Sequence, residues 1–222
     1  MGWFGFAAIF AVFFLTHSIP VRPAVKSQAV RLLGTRGFGL TYSTLSVAML
    51  ALLIWSAGQA PYVQLWPQME WHRHAAHLGM LAVSLILATS IGRPNPFSFG
   101  GARNDSFDPA RPGIVRWMRH PVLVALAIWA GVHLLPNGDL AHVILFGVLG
   151  SFAVAGGALI DRRKRQSLGA ERWKALDTAR KAAPWVPAPL GWLGLFIRLA
   201  IGVAAFATLL LAHPYVIGVP AL

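Results

Sequence analysis

The side chains in this sequence that could carry out chemistry are its eight histidines. The chain has no cysteine, which excludes disulfides, thiolate catalysis and thiolate ligation of a metal. Its seven acidic residues avoid the centres of the apolar segments, which disfavours acid–base catalysis by carboxylates there. HExxH, GxSxG and phosphate-loop motifs are absent from the sequence. The remaining reactive group is imidazole, a common ligand of haem, copper and zinc.

Two histidines bracket one apolar segment, RHPVLVALAIWAGVH, which begins at Arg119. His120 and His133 are 13 residues apart, or about 20 Å along a helix axis. Each ligating nitrogen must lie about 2 Å from its metal, so this pair cannot share one iron. Pro121 favours a helix start beside His120. Arg119 and His120 are therefore expected at one membrane interface, as cofactor contacts or as anchors to lipid headgroups, and His133 near the other.

The segments that would position these histidines are apolar enough for a membrane. Hydrophobic residues make up 56% of the chain and charged residues 12%, whereas soluble domains carry about 25% charged residues. A bilayer is crossed by about 20 apolar helical residues. We therefore predict an all-α, polytopic membrane bundle of about six transmembrane helices, forming a single domain over 1–222. The predicted spans are 2–18, 38–58, 74–92, 120–136, 140–161 and 191–213.

The basic residues predict the orientation of these spans. Of the 19 lysines and arginines, 17 fall in three alternating loops, which include the long loops 93–119 and 162–190. The positive-inside rule makes these loops cytoplasmic and places both termini on the periplasmic side. The net charge of +12 lies between apolar runs rather than on a soluble face, so it does not indicate nucleic-acid binding. The basic stretch 162–181 is expected either as a surface helix attracted to anionic lipid or as a plain cytoplasmic loop.

This topology assigns depths to the candidate residues. His133 and His77 are predicted near the outer surface on antiparallel spans 3 and 4, with His142 and His213 at a similar level. His17 ends span 1 near the inner surface. Arg198 lies about seven residues into span 6, where it could reach the cytoplasm, pair with Asp161 or meet an anionic ligand.

Several ordered motifs resemble the NnrU family of bacterial membrane proteins. They are LTHSIPVRP, RGFGLTYSTLS, RHPVLVALAIWAGVHLLPNGDLAHVILFG and LIDRRKR, and the resemblance runs from about residue 10 to 215. It implies a multi-pass protein of the bacterial inner membrane with a role in denitrification, in nitrite and nitric oxide metabolism. A partner in a respiratory or denitrification complex is a further expectation.

The family is similar to zeta-carotene isomerase, a membrane enzyme that uses haem b. The resemblance implies haem ligands at His17 and His133, and it places Ala130 where the isomerase has a cysteine. The predicted depths of His17 and His133 differ, and depth alone favours His77 with His133. Arg119 and Arg198 are candidate partners for a haem propionate.

A more distant resemblance is to isoprenylcysteine and phospholipid methyltransferases. RHPVLVA lacks the tyrosine and glycine of their motif, and only Asp161 stands where they carry two acidic residues. The hypotheses that remain are a haem-binding protein of nitric oxide or nitrite metabolism and a haem-dependent isomerase of a polyene-like substrate. An S-adenosylmethionine-dependent methyltransferase and a non-enzymatic partner of a respiratory complex complete the set.

Overall fold

The computed structural model describes residues 1–220, and the prediction of an all-α fold is confirmed over this range. Seven α-helices follow one another: α1 Trp3–Ser18, α2 Pro23–Gly58, α3 Glu70–Ser90, α4 Pro121–Leu134, α5 Leu140–Leu168, α6 Ala170–Ala182 and α7 Trp192–Ile217. Two short 3-10 turns, Asn104–Ser106 and Gly113–Arg116, interrupt the loop between α3 and α4. Residues 221 and 222 of the predicted domain lie outside the described range.

Within residues 1–220, three helices are long and apolar enough to cross a membrane, namely α2, α5 and α7. α1 and α4 are apolar but have only 16 and 14 residues, and 14 residues span about 21 Å, less than a hydrocarbon core of about 30 Å. Each predicted span lies on one helix. The count of six spans and the periplasmic position of the termini stay predictions.

Two helices, α2 and α5, extend furthest beyond the predicted spans. α2 begins at Pro23 rather than near residue 38, and its geometry breaks at Gly34, where φ is 71° and ψ is 167°. A positive φ of this kind favours glycine, so Gly34 separates a basic first stretch from the apolar stretch 38–58. α5 continues to Leu168, which makes the first basic residues after span 5 helical.

The described chain divides into two units, Met1–Pro67 with Gly138–Leu145, and Gln68–Asn137 with Phe146–Leu222. In the first unit α1 packs against α2. The backbone of Leu65 donates to the carbonyl of Gly138 at 2.7 Å, and that of Leu140 donates to Val63 at 2.9 Å. These bonds join the segment after α2 to the start of α5.

In the second unit α3 packs against both α4 and α7. Glycines permit these close approaches: a Cβ on Gly79 would overlap a methyl carbon of Val132, and a Cβ on Gly202 would lie 3.2 Å from the Ser84 carbonyl oxygen. A separate apolar cluster forms where α6 meets the loop, around Phe97, Val115 and Trp173. The backbone of α7 at Gly202 therefore lies close to that of α3, and the Val132 side chain of α4 packs onto Gly79 of α3.

The contact at Gly202 gives a stability prediction. Gly202→Val places new atoms against the α3 backbone, which cannot move as a side chain can, so we expect a loss of about 1–3 kcal/mol. Gly194→Val on the same helix meets nothing within 4 Å and serves as the matched control. Thermal unfolding in detergent micelles measures both. Equal midpoints for the two variants would contradict the close approach.

Candidate functional site

The polar groups that follow α3 fix the start of α4. The buried Asn95 donates from its side-chain amide to the carbonyl of Arg119 at 2.9 Å. Its own backbone N–H donates to the side-chain oxygen of Asn104 at 2.9 Å, and its side-chain oxygen accepts from the backbone of Phe97 at 3.0 Å. This turn places the Arg119–His120 dipeptide directly before α4.

Arg119 and His120 enter an ion-pair cluster that we define as Arg119, His120, Asp161, Asp177 and Arg180. The Arg119 guanidinium contacts Asp161 at 2.7 Å and Asp177 at 3.3 Å. His120 Nε2 lies 3.0 Å from the other Asp161 oxygen. Both oxygens of Asp161 are therefore engaged by the residues that begin α4.

The opposite side of His120 is also occupied. Its Nδ1 lies 3.1 Å from the Ser98 hydroxyl, and Ser98 is 2% exposed. Gly157 of α5 lies beside the ring, since a Cβ there would come within 3.3 Å of it. The order Ser98–His120–Asp161 resembles a nucleophile–base–acid series, but the buried hydroxyl has no access for a substrate.

Asp177 connects the ion-pair cluster to α6. It accepts from Arg180 at 2.7 Å and from Lys181 at 2.8 Å, one turn along the same helix. Arg180 is itself buried and donates to the carbonyls of Val115 and Arg116, both at 3.0 Å. The later part of the basic stretch 162–181 thus belongs to a helix, α6, that turns Asp177 and Arg180 into the protein.

Aromatic rings cover the same cations. Arg165 lies over the ring of Trp173 at 4.2 Å, and Arg119 lies over it at 5.4 Å. Arg180 lies 5.6 Å from the ring of Phe97. Arg119 and His120 are thus half-buried in the ion-pair cluster, and their position at a membrane interface stays a prediction.

The charges of the ion-pair cluster stabilise one another. Burial opposes the charge of Arg119, but the hydrogen bond and charge of Asp161, together with Asp177, raise its pKa. Burial alone would raise the pKa of Asp177, but hydrogen bonds from Lys181 and Arg180 lower it. Asp177 and Arg119 are therefore both charged near neutral pH.

Arg198 is placed apart from the ion-pair cluster. Its Nη1 donates to the carbonyls of Ala88 at 2.8 Å and Ile91 at 3.1 Å, at the end of α3. Among residues 1–220, Asp161 pairs with Arg119 and His120 rather than with Arg198.

His133, near the end of α4, is oriented by its own helix. Its Nδ1 donates to the carbonyl of Trp129 at 2.8 Å. The ring is half-buried, and its centroid lies 5.3 Å from those of Trp129 and Phe146. A neutral imidazole that donates through Nδ1 keeps an unprotonated Nε2, the form in which histidine ligates a metal.

His17 shows the same local construction in the first unit. Its Nδ1 lies 3.3 Å from the carbonyl of Phe13, four residues earlier in α1. Its ring lies 4.1 Å from Phe13 and 5.9 Å from Tyr42, and the Tyr42 hydroxyl donates to the His17 carbonyl at 3.2 Å.

His77 and His133 belong to the same end of the α3–α4 pair. His77 lies two residues before Gly79, which packs against Val132, the residue before His133. Among residues 1–220 there is no group of three or more histidine, aspartate or glutamate side chains placed to hold a metal ion. Within the described residues the histidines thus do not form a preassembled metal site of three or more ligands.

Three further histidines have structural partners. His142 Nδ1 lies 2.7 Å from Asp139, whose other oxygen accepts the backbone N–H of His142 at the start of α5. His213 Nδ1 donates to the carbonyl of Val219 at 2.7 Å. His72 is buried and accepts the backbone N–H of Met69 at the start of α3.

The sequence matches the NnrU protein family over residues 5–221. The chain belongs to the NnrU family. No curated protein and no solved structure matches it. The NnrU match covers both units, including His17, His133 and the whole ion-pair cluster. NnrU membership is consistent with a membrane protein associated with denitrification, and the relations to the isomerase and the methyltransferases stay predictions.

Four residues around the RHP motif of this NnrU chain were missed by sequence reasoning. They are Asn95, Ser98, Asp177 and Arg180. The spacing of Asp177 with Arg180 and Lys181 on one helical face was a signal for ion pairs within α6. Nothing in the local sequence signalled Asn95 or Ser98, whose partners lie 24 and 22 residues away.

We expect Asp161→Asn to destabilise the protein by about 1.5–3 kcal/mol, because it weakens charge-assisted hydrogen bonds from Arg119 and His120. Asp108→Asn, which removes the exposed pair with Arg111, is the control and should leave the unfolding midpoint unchanged. Chemical unfolding of both variants tests this. A wild-type midpoint for Asp161→Asn would show that the ion-pair cluster does not hold the fold.

Asp177 gives a pH prediction. Its pKa is lowered in the folded state, so its stabilising contribution is complete above its ordinary value of about 3.9 and disappears as pH falls through the lowered value. The stability difference between wild type and Asp177→Asn should therefore be constant near neutral pH and shrink towards zero in acid. Unfolding midpoints from pH 7 to about pH 2 measure it. A difference that is independent of pH would contradict the lowered pKa.

Proposed function

We propose that this NnrU protein binds haem b through His133 and serves the nitrite and nitric oxide steps of denitrification. The observation that supports it best is the orientation of His133, whose Nδ1 donates to the Trp129 carbonyl while Nε2 keeps its lone pair. Family membership supplies the metabolic setting.

His133 is the residue that would hold the haem iron, and its surroundings would suit that role. A hydrogen bond from the second ring nitrogen to a carbonyl fixes the tautomer and raises the basicity of the ligating nitrogen. The neighbouring rings of Trp129 and Phe146 are apolar and flat, as the porphyrin face requires. Bound iron would supply a coordination site for nitric oxide or nitrite.

His17 and His77 are the next imidazoles to test. His17 has the same carbonyl-oriented ring and aromatic neighbours as His133. His77 lies at the same end of its helix pair as His133. Arg119 and His120, expected as cofactor contacts, already donate to Asp161 and so do not support a role beside a propionate.

The alternatives differ in what they require. A haem-dependent isomerase would need the same ligands and, in addition, turnover of a polyene-like substrate. A methyltransferase would need S-adenosylmethionine near the RHP motif, where Asp161 already accepts from Arg119 and His120. Calorimetric titration with S-adenosylmethionine distinguishes the methyltransferase from the isomerase, because only the methyltransferase should bind it.

Protein purified after expression with added haem precursor should show a Soret band that shifts on reduction and on addition of nitric oxide. We expect His133→Ala to weaken haem affinity by about tenfold or more, since it removes the ligand itself. His74→Ala, which removes an exposed imidazole, is the matched control.

Circular dichroism and the unfolding midpoint show whether each variant is folded. His17→Ala and His77→Ala, measured in the same way, identify a second ligand by the change from a low-spin to a high-spin spectrum. A folded wild-type protein that stays colourless after haem supplementation would overturn the proposal.

A further inference from the structure

A cavity of about 420 Å³ lies in the second unit. It is bounded by the last turns of α3, the residues directly after them, the segment 106–117, the proline-rich segment 186–191 and the first two turns of α7. Its volume falls in the range of about 300–1,000 Å³ that is typical of small-ligand sites. The proposed haem ligand His133 is not part of its wall.

The wall of this cavity is mostly apolar. Leu85 and Ile86 of α3 line it together with Trp192, Leu195 and Leu199 of α7. α3 contributes two hydroxyls, those of Thr89 and Ser90, to this wall. Both donate to carbonyls of their own helix, so neither needs a polar ligand as a partner. An occupant must therefore present an apolar chain to most of the surface.

Two arginines give the cavity a positive end. Arg198 uses Nη1 for the carbonyls of Ala88 and Ile91, and its Nε and Nη2 donate to no other group among residues 1–220. Arg93, directly after α3, has no carboxylate partner in the same described range. The cavity wall contains one acidic residue, Asp108, and it is paired with Arg111 at 3.0 Å.

The two guanidinium groups are close enough to repel each other. Burial lowers the pKa of Arg93, and the charges of Arg198 and Arg103 lower it further. Like charges held together in a partly buried site are costly unless an anion offsets them. Guanidinium groups bind phosphate oxygens through paired, charge-assisted hydrogen bonds.

The position of the cavity favours a lipid over a free anion. Arg198 lies six residues into α7, or about 9 Å from its start, and α7 is long and apolar enough to cross a membrane. Trp192 and Phe196 beside it are more than half exposed, as expected for side chains at a lipid boundary. Headgroups of bilayer lipids occupy this boundary.

We propose that this cavity binds a single-chain anionic lipid, with its phosphate headgroup on Arg93 and Arg198 and its chain along the apolar wall. The inference is independent of haem binding, because it uses a different part of the second unit. It assigns to Arg198 a ligand-binding role in addition to its contacts with the end of α3.

The test uses the full chain in a non-ionic detergent and 1-oleoyl lysophosphatidic acid as the probe. Native mass spectrometry counts bound lipid, and titration gives its affinity. Oleoyl lysophosphatidylcholine has the same chain with a zwitterionic headgroup, and inorganic phosphate supplies the headgroup without the chain. We expect one lysophosphatidic acid per protein, bound at least about tenfold more tightly than either comparator.

Substitutions then locate the site. Arg93→Gln should weaken lysophosphatidic acid binding by about tenfold, and Leu195→Trp should weaken it by filling the cavity. Arg172→Gln removes an exposed charge on α6 and should leave affinity unchanged. Because Arg198 also binds the end of α3, a loss of affinity in Arg198→Gln is informative only if the variant unfolds at the same midpoint as the wild type. Arg93→Gln carries no such condition.

Three results would overturn the proposal. Equal binding of lysophosphatidylcholine would show that the chain alone is recognised. Equal binding of inorganic phosphate would indicate a free-anion site. Equal weakening by Arg172→Gln and Arg93→Gln would indicate attraction to the basic surface rather than to this cavity.

Discussion

The second unit depends on the placement of the Arg119 guanidinium between Asp161 and Asp177. Arg119 directly precedes α4, Asp161 belongs to α5 and Asp177 to α6, so one side chain fixes three helices relative to each other. A partly buried cation is costly without partners, and two carboxylates at hydrogen-bonding distance offset that cost. Once these partners are in place, the Arg119 carbonyl is available to anchor Asn95 and the loop after α3.

Two regions of interest lie at opposite ends of α4. The ion-pair cluster lies at its start, and Pro121, its first residue, also borders the cavity. His133 lies at the other end, 13 residues from His120 and so about 20 Å away along the helix. A ligand at the cavity and a cofactor at His133 would therefore act at different levels of the same helix. α3 packs against both α4 and α7, so it borders both levels: its last turns line the cavity, and Gly79 contacts Val132 beside His133.

Much of the fold was predictable because hydropathy and charge are properties of short segments. The apolar runs and the alternating basic loops correctly located helices at each of the six predicted spans. The ends of the helices were harder to predict from hydropathy, because a helix can continue past its apolar part. α5 runs on through Arg162–Arg165, and α2 includes the basic residues before Gly34.

The sequence by itself determined the all-helical class and the NnrU family, and it predicted a role for His133 and the RHP motif. These follow from local composition, and from motifs whose order along the chain is specific. Only the tertiary structure decided what the polar residues do. Arg119 and His120 could equally have faced lipid headgroups, and Arg198 could have paired with Asp161. The partner of each charged side chain depends on residues that are tens of positions apart in the sequence and meet only in the folded, low-dielectric interior. There, each carboxylate oxygen accepts from the donor that packing brings nearest.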